Sequence, residues 1–130
     1  MDDNIHKERD LERRWKVERI NESQKDYRKG SSGPKYLFRG PKIDWGVLRL
    51  EPGESMGAHS HKEVEETFYF FDGSPKMVIN DEVFQTREGD AFRVEPREKH
   101  DVVNDTDRAV KVVFIKSPYL PEDKIDYQRA

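Results

Sequence analysis

The sequence has no cysteine, no long apolar run and no excess of basic residues. The absence of cysteine excludes disulfides, thiolate nucleophiles and cysteine-based zinc sites, and it fits a reducing cytoplasm. No run of about 18 apolar residues occurs, so no transmembrane helix is predicted. The first eight residues are mostly charged and polar, unlike a secretory signal. We therefore expect a cytoplasmic protein with no membrane partner.

The charges are nearly balanced, with 24 Lys and Arg against 27 Asp and Glu and a net charge of −3. Because both signs are interleaved along the chain, no basic stripe is present and no nucleic-acid partner is expected. The 130 residues are enough for one domain of ordinary size. Only 33% of the residues are hydrophobic, but seven Phe, five Tyr and two Trp argue against a disordered chain.

The composition divides the chain into three segments. Residues 1–33 form a charged N-terminal arm and linker, in which Leu11 and Trp15 are four apart and could share one face of a helix. The alternation over Trp15–Arg19 suits an edge strand. Residues 34–118 are predicted to form a barrel, and residues 119–130 a tail that is irregular or a short helix.

Short strand patterns separated by turn signals fill residues 36–116. Their spacing of roughly 8–12 residues is typical of an all-β sandwich or barrel. Asn80 and Asp81 are predicted to form a hairpin turn between two of these strands. No helical period of useful length appears in this stretch, so the predicted fold class is all-β.

Three of the four histidines lie near predicted strand ends. His59 and His61 are two apart, so a strand would direct both imidazoles to one face. Glu66 begins an aromatic strand and His100 lies near the start of another. Three imidazoles and one carboxylate are a ligand set for Mn, Fe, Co, Ni or Zn. The alternative is a group of ordinary surface histidines on turns.

Two spacing patterns resemble the motifs of the cupin family. The first runs Gly53, five residues, His59-Ser60-His61, four residues, Glu66, six residues, Gly73. The second runs Gly89, five residues, Glu95-Pro96-Arg97, two residues, His100, three residues, Asn104. Glu95 and Arg97 stand where the family has Pro and Gly, which puts the shape of that turn in question.

The resemblance covers about residues 36–116 and implies a double-stranded β-helix, or jelly-roll, barrel with a metal at its mouth. It implies that His59, His61, Glu66 and His100 bind one divalent transition metal, with Mn or Fe favoured over Ni or Zn. An oxygenase acting on a small molecule is favoured, because two open coordination positions would hold substrate and dioxygen side by side. The alternatives are an isomerase, lyase or decarboxylase of a sugar derivative or organic acid, and a non-catalytic module that binds a ligand or senses metal.

Strand alternation from Glu66 predicts which side chains line the pocket. It places Phe68 and Phe70 on the same face as Glu66, and it places Val102 beside His100. Plain core packing is the alternative for Phe70 and Val102. Arg49 and Arg93 are candidates to anchor an anionic substrate, and exposure to solvent is the alternative for both. Alternation also turns Tyr69 and Phe71 outward, where either the N-terminal arm or a second copy of the chain would cover them, and a homodimer is favoured.

Overall fold

A computed structural model describes residues 17–127 of the chain. The strands are β1 (Gly33–Arg39), β2 (Asp44–Leu50), β3 (His59–Ser60), β4 (Glu65–Asp72), β5 (Lys76–Ile79), β6 (Glu82–Gln85), β7 (Ala91–Val94), β8 (His100–Val103), β9 (Val110–Ser117) and β10 (Ile125–Asp126). They form two five-stranded sheets in the orders β1-β2-β9-β4-β7 and β10-β3-β8-β5-β6, and every strand pairing is antiparallel. The predicted all-β jelly-roll class is confirmed.

The core lies between the two sheets because alternate residues of their strands are apolar and face inward. In β4, for example, Phe68 and Phe70 are fully buried, whereas Tyr69 is 46% exposed. The buried core cluster consists of Leu48, Leu50, Phe68, Phe70, Met77, Val94, Val102, Val110, Val112 and Phe114. This core fixes the register of the strands that carry the histidines.

Several turns follow the local sequence. Asn80 and Asp81 have φ of 49° and 69°, the left-handed conformation that a two-residue hairpin turn between β5 and β6 requires. Gly73 has a φ of 94°, and a Cβ there would lie 2.5 Å from the Val110 side chain. The two motif segments are tied together where the Gly53 amide donates to the Asn104 carbonyl at 2.8 Å.

The segment before β1 contains little regular structure within the described residues. Its only helix there is a 3-10 turn at Glu22–Gln24, which is capped by the Asn21 side chain. Residues 17–19 form no strand, so the predicted edge strand is not found in the part of Trp15–Arg19 that the structure describes. Trp15 itself and the predicted helical stripe of the arm lie outside the described residues.

The tail is irregular over residues 119–124, and only a short strand departs from the prediction of an irregular or helical segment. Ile125 and Asp126 form β10, which pairs with β3 and extends the sheet that carries His59. The Tyr127 hydroxyl also lies 2.9 Å from the Ser60 hydroxyl. The pairing depends on a distant strand, so no local pattern in the tail could reveal it. The C-terminal residues consequently become part of the functional end of the molecule.

Candidate metal centre and its cavity

Four side chains converge at one end of the two-sheet sandwich. His59 on β3 is the antiparallel partner of His100 on β8, and His61 follows directly after β3. Glu66 reaches the same point from β4 in the opposite sheet. The ligand atoms of these four residues all lie within 4.8 Å of one another, and all four side chains are buried. The structure thus brings the four predicted ligands together from both sheets.

The Glu66 carboxylate is at the centre of the cluster. Its Oε1 lies 3.0 Å from the Nε2 of His61, 3.0 Å from that of His100 and 3.7 Å from that of His59. A transition metal with bonds of about 2.1 Å spaces adjacent octahedral ligands by about 3.0 Å and tetrahedral ligands by about 3.4 Å. The distances from the Glu66 Oε1 to the three Nε2 atoms are therefore close to the spacing of neighbouring ligands around one metal ion.

Backbone carbonyls fix the tautomer of all three imidazoles. The Nδ1 atoms of His59, His61 and His100 lie 2.8, 2.5 and 2.9 Å from the carbonyl oxygens of Gly57, Asp123 and Glu98, respectively. A carbonyl only accepts, so each Nδ1 must donate. The Nε2 of each neutral imidazole then points a lone pair at Glu66, which is the form that binds metal.

The cluster consequently has three lone pairs and a carboxylate facing one another away from bulk water. Burial alone would raise the pKa of the Glu66 carboxyl, but when protons occupy the Nε2 atoms, hydrogen bonds donated by His100, His59 and His61, together with the charge of Lys116, hold that pKa well below its usual value. Burial lowers the pKa of His59 and favours its neutral form. Four converging acceptors repel one another unless protons or a metal cation lie between them, and a divalent metal ion fits this donor set.

A cavity of about 200 Å³ opens on this cluster. His59, His61 and Glu66 line it, whereas His100 lies behind them with 1% of its surface exposed. The ligand set is therefore closed on the core side and open on the cavity side, as a site that admits a further ligand must be. The volume is below the roughly 300–1,000 Å³ of typical small-molecule sites, so it suits a molecule of a few heavy atoms.

The family model for the cupin domain matches residues 46–116. The chain belongs to the cupin family. It is 25% identical over 88 residues to the uncharacterized protein MJ1618 of Methanocaldococcus jannaschii, covering 67% of this chain and 70% of that protein. It is 28% identical over 82 residues to the tetracenomycin polyketide synthase protein TcmJ of Streptomyces glaucescens, covering 63% of this chain and 55% of that one.

A solved structure supports the cupin fold independently. The double-stranded β-helix protein of Klebsiella pneumoniae superposes with a TM-score of 0.74 at 15% identity, covering 88% of this chain and all of that one. At that identity the likeness concerns the fold alone. Within the described residues of this cupin, no helix is long and apolar enough to cross a membrane.

The structure places the predicted pocket residues away from the cavity. Phe68, Phe70 and Val102 are fully buried in the core, and none of them is part of the cavity lining. Phe68 does reach the cluster, since its ring centroid lies 5.6 Å from that of His100. Phe68 thus supports His100 from behind, whereas Phe70 and Val102 are core residues, because the inward face of these strands is filled by the opposite sheet.

The two arginines are also placed elsewhere. Arg49 alternates with the buried Leu48 and Leu50, so its guanidinium turns outward, where it contacts Glu51. Arg93 is 69% exposed on β7, with Glu65 at 3.9 Å. Neither side chain lines the cavity of this cupin. Alternation along their own strands, measured from the buried neighbours, accounts for both positions.

The cavity contains functional groups that the sequence did not predict. Tyr36 from β1, Lys116 from β9 and Asp123 from the tail all line it beside the ligands. The Lys116 Nζ lies 2.8 Å from the Tyr36 hydroxyl. Asp123 accepts the backbone amides of residues 62, 63 and 64 at 2.8, 2.8 and 3.0 Å, and its own carbonyl accepts from His61. These residues lie outside both cupin motifs, so no spacing signal identified them.

Arg97 resolves the question about the second motif. Its φ is 72°, so it adopts the left-handed conformation that the family glycine at this position would favour. In this conformation the Arg97 amide donates to the His61 carbonyl at 2.6 Å. The turn therefore keeps the shape that holds His61, although Arg97 is sterically strained in this conformation.

Proposed function

We propose that this cupin is a metal-dependent enzyme that acts on a small molecule, with His59, His61, Glu66 and His100 as ligands of one divalent ion. The observation that carries the proposal is the convergence of three Nε2 lone pairs and a buried carboxylate on a point that borders a cavity. When bound, such an ion supplies a Lewis acid with open coordination positions. Mn and Fe are favoured, and Ni and Zn also suit the donor set.

An oxygenase-type reaction is the first candidate. The cavity side of the cluster is open, so it leaves room for a substrate and a second small ligand next to each other. The chain's own contribution is a dry wall behind the ligands, since Phe68 and His100 pack together there and exclude water. No cysteine is present to favour a softer ion.

An isomerase, lyase or decarboxylase reaction is the second candidate. The Tyr36 hydroxyl and the Lys116 ammonium favour it, because both carry protons and both line the cavity. Reactions of that class need a group that gives or takes a proton at the substrate. The oxygenase proposal has no such requirement, so the two candidates use different parts of the same cavity.

The test is turnover by protein reloaded separately with Fe, Mn, Ni or Zn. Each form is incubated with a panel of small organic acids and sugar derivatives, with dioxygen consumption and product formation both recorded. Consumption of dioxygen in step with product supports the oxygenase, and equal turnover without air supports the second candidate. Metal-dependent ligand binding with no turnover in any form would contradict an enzyme and favour a binding or sensing module.

We also propose a cytoplasmic homodimer. Tyr69 and Phe71 are 46% and 38% exposed on β4, and their rings stack with centroids 6.5 Å apart. A second copy of the chain suits this patch, because a two-fold axis would stack the same aromatic pair on itself. The ion pair of Arg93 with Glu65 lies at its polar edge.

Light scattering at micromolar concentration tests the dimer. We expect a mass near twice 15.4 kDa for the wild type and near 15.4 kDa for Phe71→Lys. A wild-type mass of one chain at that concentration would contradict the proposal. Val83→Lys is a matched control, because Val83 is 57% exposed on β6 of the other sheet.

A further inference from the structure

A row of alternating charges crosses the inner face of one sheet beside the proposed metal. Arg39 on β1 is opposite Asp44 on β2, Asp44 is opposite Lys116 on β9, and Lys116 is opposite Glu66 on β4. Residues directly opposite one another in an antiparallel pair project to the same side of the sheet. The row therefore runs from the edge of the sheet to the metal ligand, and all four residues line the cavity.

Two of the charges in this row form an ion pair with each other, whereas Lys116 has no ion-pair partner in the described chain. Arg39 holds the buried Asp44 with two hydrogen bonds of 3.0 and 2.9 Å. Lys116 is directly opposite Glu66 across the β4–β9 pair, yet its ammonium forms no ion pair with any residue between 17 and 127. It donates instead to the Tyr36 hydroxyl at 2.8 Å. Lys116 thus keeps donors that no carboxylate of the described chain occupies.

The position of Tyr36 depends on a glycine. Tyr36 is opposite Gly46 on β2, where an added Cβ would lie 1.9 Å from the Lys35 carbonyl oxygen. The close approach of the two strands lets the Tyr36 ring pack edge-to-face on Phe114, with centroids 5.0 Å apart. Because the ammonium can only donate, the Tyr36 oxygen accepts from it, and the phenolic proton is left to donate to another acceptor.

We propose that Lys116 and Tyr36 form a subsite for the carboxylate of a small organic acid, directly beside the metal ligands. This inference rests on the proposed function and names its substrate class. The charged residues that line the cavity are four basic ones, Arg28, Arg39, Lys116 and Lys124, and three acidic ones, Asp44, Glu66 and Asp123. A divalent ion in the cluster would therefore leave the cavity with a net positive charge that attracts an anion. An ammonium and a phenolic proton present two donors to the two oxygens of one carboxylate. The cavity of about 200 Å³ limits the acid to a few carbon atoms.

The experiment compares lactate with lactamide, its neutral isostere, by calorimetric titration of zinc-loaded protein. Metal content is measured first for every variant, so that a failure to bind zinc is separated from a failure to bind the acid. In the wild type, lactate should bind more tightly than lactamide. Lys116→Met should lower the affinity for lactate about 10- to 100-fold and the affinity for lactamide less than about threefold.

Two further variants sharpen the result. Tyr36→Phe keeps the ring packed on Phe114 and removes one hydrogen-bond donor, so the affinity for lactate should fall about 3- to 10-fold. Lys111→Met is the matched control, because Lys111 is on the same strand but approaches Glu22 at 3.5 Å and is not part of the cavity lining. It should change lactate affinity by less than about twofold.

Three outcomes would overturn the subsite. If the preference for lactate over lactamide survives Lys116→Met in a folded protein that binds zinc, the acid is held by the metal alone. If inorganic phosphate binds more tightly than lactate with the same dependence on Lys116, the ligand class is wrong. The same titrations are repeated on metal-free protein, so that the subsite is tested even if the protein does not bind zinc. In metal-free protein, equal affinities for lactate and lactamide would also contradict the proposal.

Discussion

The three histidines of the proposed metal site are oriented by backbone carbonyls. The Nδ1–H group of each imidazole donates a hydrogen bond to a backbone carbonyl, that of Gly57, Asp123 or Glu98. These carbonyls lie in loops whose positions depend on strand pairing. The ligand geometry is thus a property of the loops, and a change in loop shape reaches the metal through a single hydrogen bond.

Metal affinity should fall as the pH is lowered, but at a lower pH than the pKa of free histidine would predict. Neutral imidazole is the form that binds, and burial lowers the pKa of His59 below its ordinary value of about 6.5. A lowered pKa in the folded protein keeps His59 neutral as the pH falls through that value, so metal should be retained there and lost only at lower pH. Metal content after equilibration across pH 4 to 8 checks this, and loss beginning above about pH 6.5 would contradict it.

Arg97 gives a prediction about backbone conformation. Its φ of 72° strains any residue with a Cβ, most of all a β-branched one, and its side chain is exposed. Arg97→Val should lower the free energy of unfolding by about 1–2 kcal/mol. Arg97→Gly should be neutral or stabilising by up to about 1 kcal/mol, since glycine relieves the strain but loosens the unfolded chain. Chemical denaturation measures both, and equal effects would contradict the account.

At the scale of elements, the tail supports the proposed metal site. Asp123 fixes the loop after His61 through three backbone amides and also supplies the carbonyl that orients the His61 ring. Burial alone would raise the pKa of its carboxyl, but the hydrogen bonds from the backbone amides of residues 63, 62 and 64 lower that pKa. Asp123 therefore stays ionised and keeps these contacts at neutral pH.

Asp123→Asn should weaken metal binding about 10-fold, because an amide NH₂ cannot accept from the loop amides as a carboxylate does. Competition with a chelator of known affinity measures the effect. Asp126→Asn is the matched control, since Asp126 is 73% exposed and contacts only Lys124 among the ion pairs of the described tail. If both substitutions have the same effect, Asp123 has no special role in positioning His61.

The sequence predicted the elements that carry the ligands but not their neighbours. His59, His61, Glu66 and His100 could be identified because their spacing is local within two motifs. Tyr36, Lys116 and Asp123 could not, because they reach the cavity only through pairing between distant strands.

The pocket prediction shows the limit of alternation. It correctly separates the two faces of β4, yet Phe68 and Phe70 face the core rather than the cavity. Alternation says which side of a sheet a residue faces, but it does not say whether that side is filled by the second sheet at that depth. In the part of the chain that the structure describes, the sandwich opens into the cavity at its end near Glu66.

At the scale of the whole molecule, two sheets enclose one core and leave one end of it polar. The core fixes β3 and β8 on one side and β4 and β9 on the other, so three histidines and a glutamate meet across the gap. The same packing brings Lys116 and Tyr36 to the cavity. The apolar bulk of the sandwich thus positions a small cluster of charges.

The central claim is that His59, His61, Glu66 and His100 bind one divalent transition ion per chain, and metal content after identical purification and reloading tests it most directly. The wild type and Glu65→Gln should take up about one ion per chain, because Glu65 turns away from the cluster toward Arg93. His100→Ala should lose the ion, and Glu66→Gln should bind it more weakly. Full stoichiometry and affinity in His100→Ala, or loss of metal in Glu65→Gln but not in Glu66→Gln, would contradict the account.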